Sequence, residues 1–205
     1  MQLEGCDAAA ARVIQKRHFH EHGTTLAGLM HHHDVDAERF LAFVHDIPLD
    51  PLEPDIALCN ALSCLPGKRH IFTNADADYA MRVLQRRGIA HLFDRIVDIR
   101  ATGYIPKPQC GAYSCLVDLI PGFEPRRTLF VDDMTRNLRP AHAIGMATVW
   151  LDNGSESGDR DHDPAHVHHH IANLTDWLTA ITAPAKARST IESQCHDQTS
   201  QHSHA

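Results

Sequence analysis

Apolar positions in the first quarter of the chain recur at helical spacing. Over residues 7–22, Ala8 to Ala11, Val13, Ile14 and Phe19 fall on one side of a helix. Gly23 stops that pattern, and Thr24-Thr25 offers an N-cap for a short helical turn through Leu26, Leu29 and Met30. Asp34 or Asp36 caps a third helix whose inner face is predicted to carry Phe40, Leu41, Phe43 and Val44. Pro48, Pro51 and Pro54 punctuate the stretch after this helix, and no strand is predicted before residue 55.

Beyond residue 55 the pattern changes. A helix over 56–65 ends at Pro66-Gly67, and short apolar strands are predicted at 70–73, 95–99, 128–131 and 147–151. Between and after them lie helical stretches at 76–87, closed by Gly88, at 111–120, at 138–144, stopped by Gly145, and at 173–181. Apolar strands alternating with amphipathic helices predict an α/β fold built on a parallel sheet with right-handed crossovers. Residues 153–163 form a polar, Asp-rich loop, and the stretch beyond Pro184 has too little apolar content to expect order. The expected organisation is a helical part over 1–55, an α/β core over 56–183 and a polar tail over 184–205.

With 205 residues and 43% hydrophobic content the chain can bury a core. The formal charge of -7, from 19 basic and 26 acidic residues, excludes the basic surface that nucleic acid or an anionic membrane would need. No apolar run reaches membrane-spanning length and residues 1–11 lack a signal-peptide pattern. The six Cys form no Cys-x-x-Cys pair, which suits reduced thiols and a cytoplasmic protein. The 18 His include runs at 31–33 and 166–170, which lack a helix-face spacing such as His-x-x-x-His with a Glu base and are expected to be structural or incidental.

Open parallel sheets bind ligands at the carboxyl ends of their strands. The first predicted strand ends in Thr73-Asn74, a hydroxyl and an amide able to hold phosphate oxygens. The third ends in Asp132-Asp133, adjacent carboxylates suited to a hard cation such as Mg²⁺. Lys107 lies between them in sequence, held between Pro106 and Pro108, which restrict its backbone. Singly these are a strand-end cap, a turn and an exposed loop. Together, in this order, they make a phosphoryl site: a hydroxyl donor, a lysine and a metal-binding acidic pair.

These residues resemble a known family. IFTNAD (71–76), the loop carrying Lys107, and LFVDDMTRNLRPAHAIGMATVW (129–150) are similar to motifs two, three and four of the haloacid dehalogenase superfamily. HGTTLAGL (22–29) with FVHD (43–46) resembles the cap of its pyrimidine 5'-nucleotidase branch, and residues 166–178 resemble the family's last strand and helix. The resemblance implies Mg²⁺-dependent hydrolysis of a pyrimidine nucleoside 5'-monophosphate, such as UMP or CMP, through an aspartyl-phosphate. It implies that Thr73 and Asn74 hold the phosphoryl group and Lys107 balances its charge. Asp132 and Asp133 would hold Mg²⁺, and Thr24 and Thr25 of the cap would meet the substrate.

The family pattern opens with a central strand ending in Asp-x-Asp-x-Thr, and this chain has no match to it. Asp34-Val35-Asp36 comes after three His in a helical context and is not expected to be the nucleophile. The resemblance thus implies a missing strand, loop and helix, on the order of thirty residues. Two facing strand edges and an apolar slot would result, with poor folding of the chain alone. An upstream start or a remnant would each account for this. The rival functions are a phosphate-binding protein without turnover, a nonfunctional fragment, and a phosphatase or dehalogenase of another branch. Asp46 is expected to be structural.

Overall fold

The first three helices are set by side chains that satisfy their opening N–H groups. The computed structural model describes residues 7–183. Helix α1 (Ala8–His22) begins at Asp7, whose carboxylate accepts from the Ala10 N–H at 2.8 Å, and ends at Gly23 with φ +86°. Helix α2 (Thr25–His32) is capped by the Thr24 hydroxyl, and α3 (Ala37–His45) by Asp36 through the Glu38 and Arg39 amides. Asp46 is the exposed residue that closes α3. Phe43, expected on the inner face of α3, is 80% exposed. At 100° per residue it lies about 200° from the buried Leu41, so Phe40, Leu41 and Val44 form the inward stripe without it.

Residues 56–183 follow the expected alternation. The elements are α4 (Ile56–Ser63), β1 (His70–Phe72), α5 (Ala77–Arg86), β2 (Arg95–Val97), α6 (Cys110–Leu119), β3 (Leu129–Asp132), α7 (Thr135–Ala143), β4 (Ala147–Leu151), β5 (His169–Ile171) and α8 (Leu174–Thr182). Helix α7 starts three residues earlier than predicted, because the polar Thr135, Arg136 and Asn137 are buried by tertiary partners instead of forming a loop. The tail expected to be disordered, 184–205, lies outside the described residues. Among the described residues no helix is long and apolar enough to cross a membrane, and Cys59, Cys64, Cys110 and Cys115 are free thiols.

All strand pairs are parallel, but they form two sheets: β1-β2 and β3-β4-β5. Among the described residues no strand joins them. Helices bridge the gap on both sides. Tyr113 of α6 lies edge-on to Phe72 of β1 and to Phe130 of β3, with centroids 5.3 and 6.1 Å away, inside a core completed by Val97, Leu138, Met146 and Trp150. Helix α8, which comes after the larger sheet, packs Leu178 with Leu62 of α4 and Leu84 of α5 beside the smaller one. Burial of these side chains, at roughly 1.5–3 kcal/mol each, holds the helices against the two sheets.

A row of arginines ties α5 to the segment between α3 and α4. Arg82 donates to the carbonyls of His45 and Ile47, Arg86 to those of Leu49 and Asp50, and Arg87 to Glu53. His45 completes the tie by a short hydrogen bond to Asp76, the N-cap of α5, while its ring stacks on Tyr79 at 4.3 Å. Burial raises the Asp76 pKa, but the Tyr79 amide and His45 outweigh it, so the carboxylate sits below its usual range.

Candidate phosphoryl site

The carboxyl ends of β1 and β3 converge on Lys107. Its ammonium donates to the Phe72 carbonyl at 2.9 Å and to Asp132 Oδ2 at 2.6 Å, and lies 5.2 and 5.5 Å from the ring centroids of Phe72 and Phe130. Lys107 and Asp132 are each 8% exposed. A charge so placed is tolerated only because its partner, a carbonyl and two ring faces replace the lost water.

Asn74 fixes the lysine from behind. Its Oδ1 accepts the Lys107 N–H at 2.8 Å and its Nδ2 donates to the Lys107 carbonyl at 3.1 Å. The amide expected to face a phosphate is thereby engaged in positioning the lysine backbone. Thr73 accepts from the Ala75 N–H through Oγ1 at 3.0 Å, which leaves its hydroxyl hydrogen for a ligand oxygen.

Asp132 is fully oriented. Its Oδ1 accepts from the Met134 N–H and from Asn137 Nδ2, at 2.9 and 2.8 Å. Tyr113 supports that network by donating its hydroxyl to the Asn137 carbonyl, and burial raises its pKa so that it stays a donor. Asp133 is half-buried and accepts from Asn153 Nδ2 at 3.2 Å. Carboxylate oxygens have about two lone-pair sites each, so Asp132 Oδ2, with one lysine bond, and Asp133 retain acceptor capacity. An all-oxygen donor set of this kind fits Mg²⁺.

The helical segment reaches the same place through the turn at Gly23. A Cβ there would lie 3.0 Å from the Lys107 carbonyl oxygen, so only a glycine permits this approach without displacement. Arg136, 8% exposed, donates to the carbonyls of Phe19 and Gly23 at 3.2 and 3.1 Å and covers the Phe19 ring at 4.3 Å. The structure thus gathers Thr73, Asn74, Lys107, Asp132 and Asp133, and brings the turn preceding Thr24-Thr25 against Lys107. The Thr24 hydroxyl is engaged in capping α2. Asp36 caps α3 and Asp34 is exposed, so neither joins the site.

Sequence reasoning missed Arg136, Asn137 and His45. The signal available for the first two was their place at the start of a helix whose later positions, Leu138 and Ala141, are fully buried. Nothing local distinguishes His45, whose partner is 31 positions away.

No family model matches the chain. Phosphate metabolism protein 8 of Saccharomyces cerevisiae is 29% identical, aligned over 70% of this chain and 49% of its own length. A phosphoglycolate phosphatase of Haemophilus influenzae is 36% identical over 41% of this chain and 37% of its own length. The chain therefore spans half or less of the curated relatives it matches. A magnesium-bound HAD-hydrolase structure from Bacillus subtilis superposes with a TM-score of 0.57 at 18% identity, covering 89% of this chain and 86% of that one. The L-2-haloacid dehalogenase of Xanthobacter autotrophicus does so with a TM-score of 0.53 at 16% identity, covering 88% of each. The architecture of this chain, parallel strands flanked by helices, is that of the haloacid dehalogenase-like hydrolases.

Proposed function

We propose that this chain carries the phosphoryl-binding part of a magnesium-dependent phosphomonoesterase site for pyrimidine nucleoside 5'-monophosphates such as UMP and CMP. The observation that carries this reading is the Lys107 ammonium, buried at the ends of two sheets and locked to Asp132. Thr73 donates a hydroxyl to the phosphoryl group, and Lys107 offsets the repulsion between the dianion and an attacking carboxylate. Asn74 positions Lys107. Asp132 and Asp133 would hold Mg²⁺, which supplies charge neutralisation at the phosphate oxygens when bound. The two curated relatives, one named for phosphate metabolism and one a phosphatase, favour a phosphate ester over a haloacid. The nucleotide class rests on the resemblance of residues 22–29 and 43–46.

Among the described residues no carboxylate besides Asp132 bonds to Lys107, so an attacking group is not provided beside it. The chain of 205 residues is accordingly expected to bind without turnover. Calorimetric titration with UMP and with inorganic phosphate, each with and without Mg²⁺, tests this. Mg²⁺-dependent binding that is weakened at least tenfold in Lys107→Met and Thr73→Ala supports the site. Binding unaltered by both substitutions overturns it, and release of phosphate from UMP by this chain overturns the assignment of a missing nucleophile.

A further inference from the structure

A second group of ligands lies in the helical hairpin, away from the oxygen-rich site. His18 and His22 stand one turn apart on α1, and α2 brings His32 against them. Each offers a ring nitrogen, and the three nitrogens lie within 4.8 Å of one another, with His22 Nε2 and His32 Nε2 3.1 Å apart. A tetrahedral zinc ion, with Zn–N near 2.0–2.1 Å, separates neighbouring nitrogens by roughly 3.3 Å. The hairpin is close to that spacing before any ion is considered.

His18 makes the stronger case. It is 1% exposed, and among the described residues neither of its ring nitrogens has a hydrogen-bond partner. Buried imidazoles are ordinarily satisfied, so a ring with two orphaned nitrogens facing two further imidazoles needs an explanation. The backbone accommodates this ring specifically. A Cβ on Gly28 of α2 would stand 2.4 Å from His18 Cβ and 2.5 Å from its Nδ1, so the absent side chain admits the imidazole under α2. His22 is half-buried and His32 exposed, which leaves a route for an ion from solvent. The His31 ring, 4.8 Å from that of His32, borders the open side. The carboxylate that approaches the group is Glu21, whose Oε2 is 4.0 Å from His22 Nε2, so the set is nitrogen-based and selects a borderline-soft ion over Mg²⁺.

We propose that His18, His22 and His32 bind a zinc-class divalent ion, with a fourth position for water, and that the ion staples α1 to α2. The site is independent of phosphoryl chemistry and takes a different class of metal. Because α1 ends on the Gly23 turn held by Arg136, the staple fixes the hairpin that abuts Lys107.

The test uses the full chain, stripped with chelator and titrated with ZnCl₂ alone against a chromogenic competitor, with Co²⁺ as an optical probe of tetrahedral nitrogen ligation. One tight equivalent is expected, with a rise in Tm. Since even second-sphere changes weaken metal sites 10–100-fold, His32→Ala should weaken binding by at least roughly tenfold and abolish the Tm shift. His32 is exposed, so this variant reports on ligation even if His18→Gln does not fold. The chain is rich in histidine, so a variant with His168, His169 and His170 all changed to Gln serves as control and should bind as the wild type does. Equal zinc affinity in a His22→Ala/His32→Ala double variant and the wild type overturns the proposal. So does loss of the tight equivalent in the 168–170 variant alone.

Discussion

Substituting Lys107 by methionine removes the ammonium while keeping the length and apolar stem of the side chain. What remains is the Asp132 carboxylate, 8% exposed, held by the Met134 amide and Asn137 but without its cation. Removing one partner of a buried pair costs about 3–5 kcal/mol, because the other charge stays desolvated. The Phe72 carbonyl also loses its donor, although β1 is partly exposed and water can replace it. A loss of about 3–5 kcal/mol is a large share of the 5–15 kcal/mol available to a typical domain. Urea unfolding at neutral pH measures it as a fall in midpoint. A second variant separates charge burial from packing. Lys107→Met/Asp132→Asn removes both charges and should recover about 2 kcal/mol or more over Lys107→Met alone. A single-variant cost below about 1 kcal/mol, the scale of an exposed ion pair, would refute the view that this pair carries the junction between the sheets. So would a double variant less stable than the single one.

The geometry sets three further outcomes. Arg136→Met removes two charge-assisted bonds to the end of α1 and should cost about 3 kcal/mol, read as faster proteolytic cleavage within residues 7–24; unchanged cleavage kinetics would count against that tether. Gly28→Ala tests packing in the hairpin: helix propensity favours Ala by about 1 kcal/mol, while forcing a Cβ to 2.4 Å from His18 costs about 1–3 kcal/mol, so Tm should fall, and a rise would displace His18 from beneath α2. Glu38 receives hydrogen bonds from Arg100 and Tyr104, which lower its pKa from 4.5 to about 2. A depressed folded pKa stabilises above the unfolded value and ceases to do so as pH falls through the folded one. The stability advantage of wild type over Glu38→Gln should hold above about pH 4.5 and vanish towards pH 2. A pH-independent difference would exclude this pairing.

The strand ends that carry the site were legible because short apolar runs stop at polar dipeptides, Thr73-Asn74 and Asp132-Asp133. The capping residues Thr24 and Asp36 were visible in the same local way. What the pattern does not encode is who meets whom across the fold. Asn74 looked like a phosphate ligand and is occupied by a backbone 33 positions away. Phe43 looked buried because it is apolar, but the helical angle turns it out. His18 and His22 do have the one-turn spacing of metal ligands, yet the runs at 31–33 and 166–170 draw the eye, and the third ligand depends on how α2 folds back over α1. The strands form two sheets, β1-β2 and β3-β4-β5, and the helices packed beside them, α6 and α8, carry no sequence mark of that role.

The bond from Lys107 to Phe72 also governs what can pair with β1. Backbone groups alternate between the two edges of a strand. Thr73 directs its N–H to Val97 of β2, so Phe72 faces the opposite, open edge. The one Phe72 carbonyl available there to an incoming chain is already held by an ammonium. A neutral N–H offered by a stray strand would replace a charge-assisted bond with a weaker one, so the open edge resists indiscriminate sheet extension, the role that lysines play on exposed edges elsewhere. Lys107 thus guards one acceptor on the open edge of β1 while it holds Asp132 of β3.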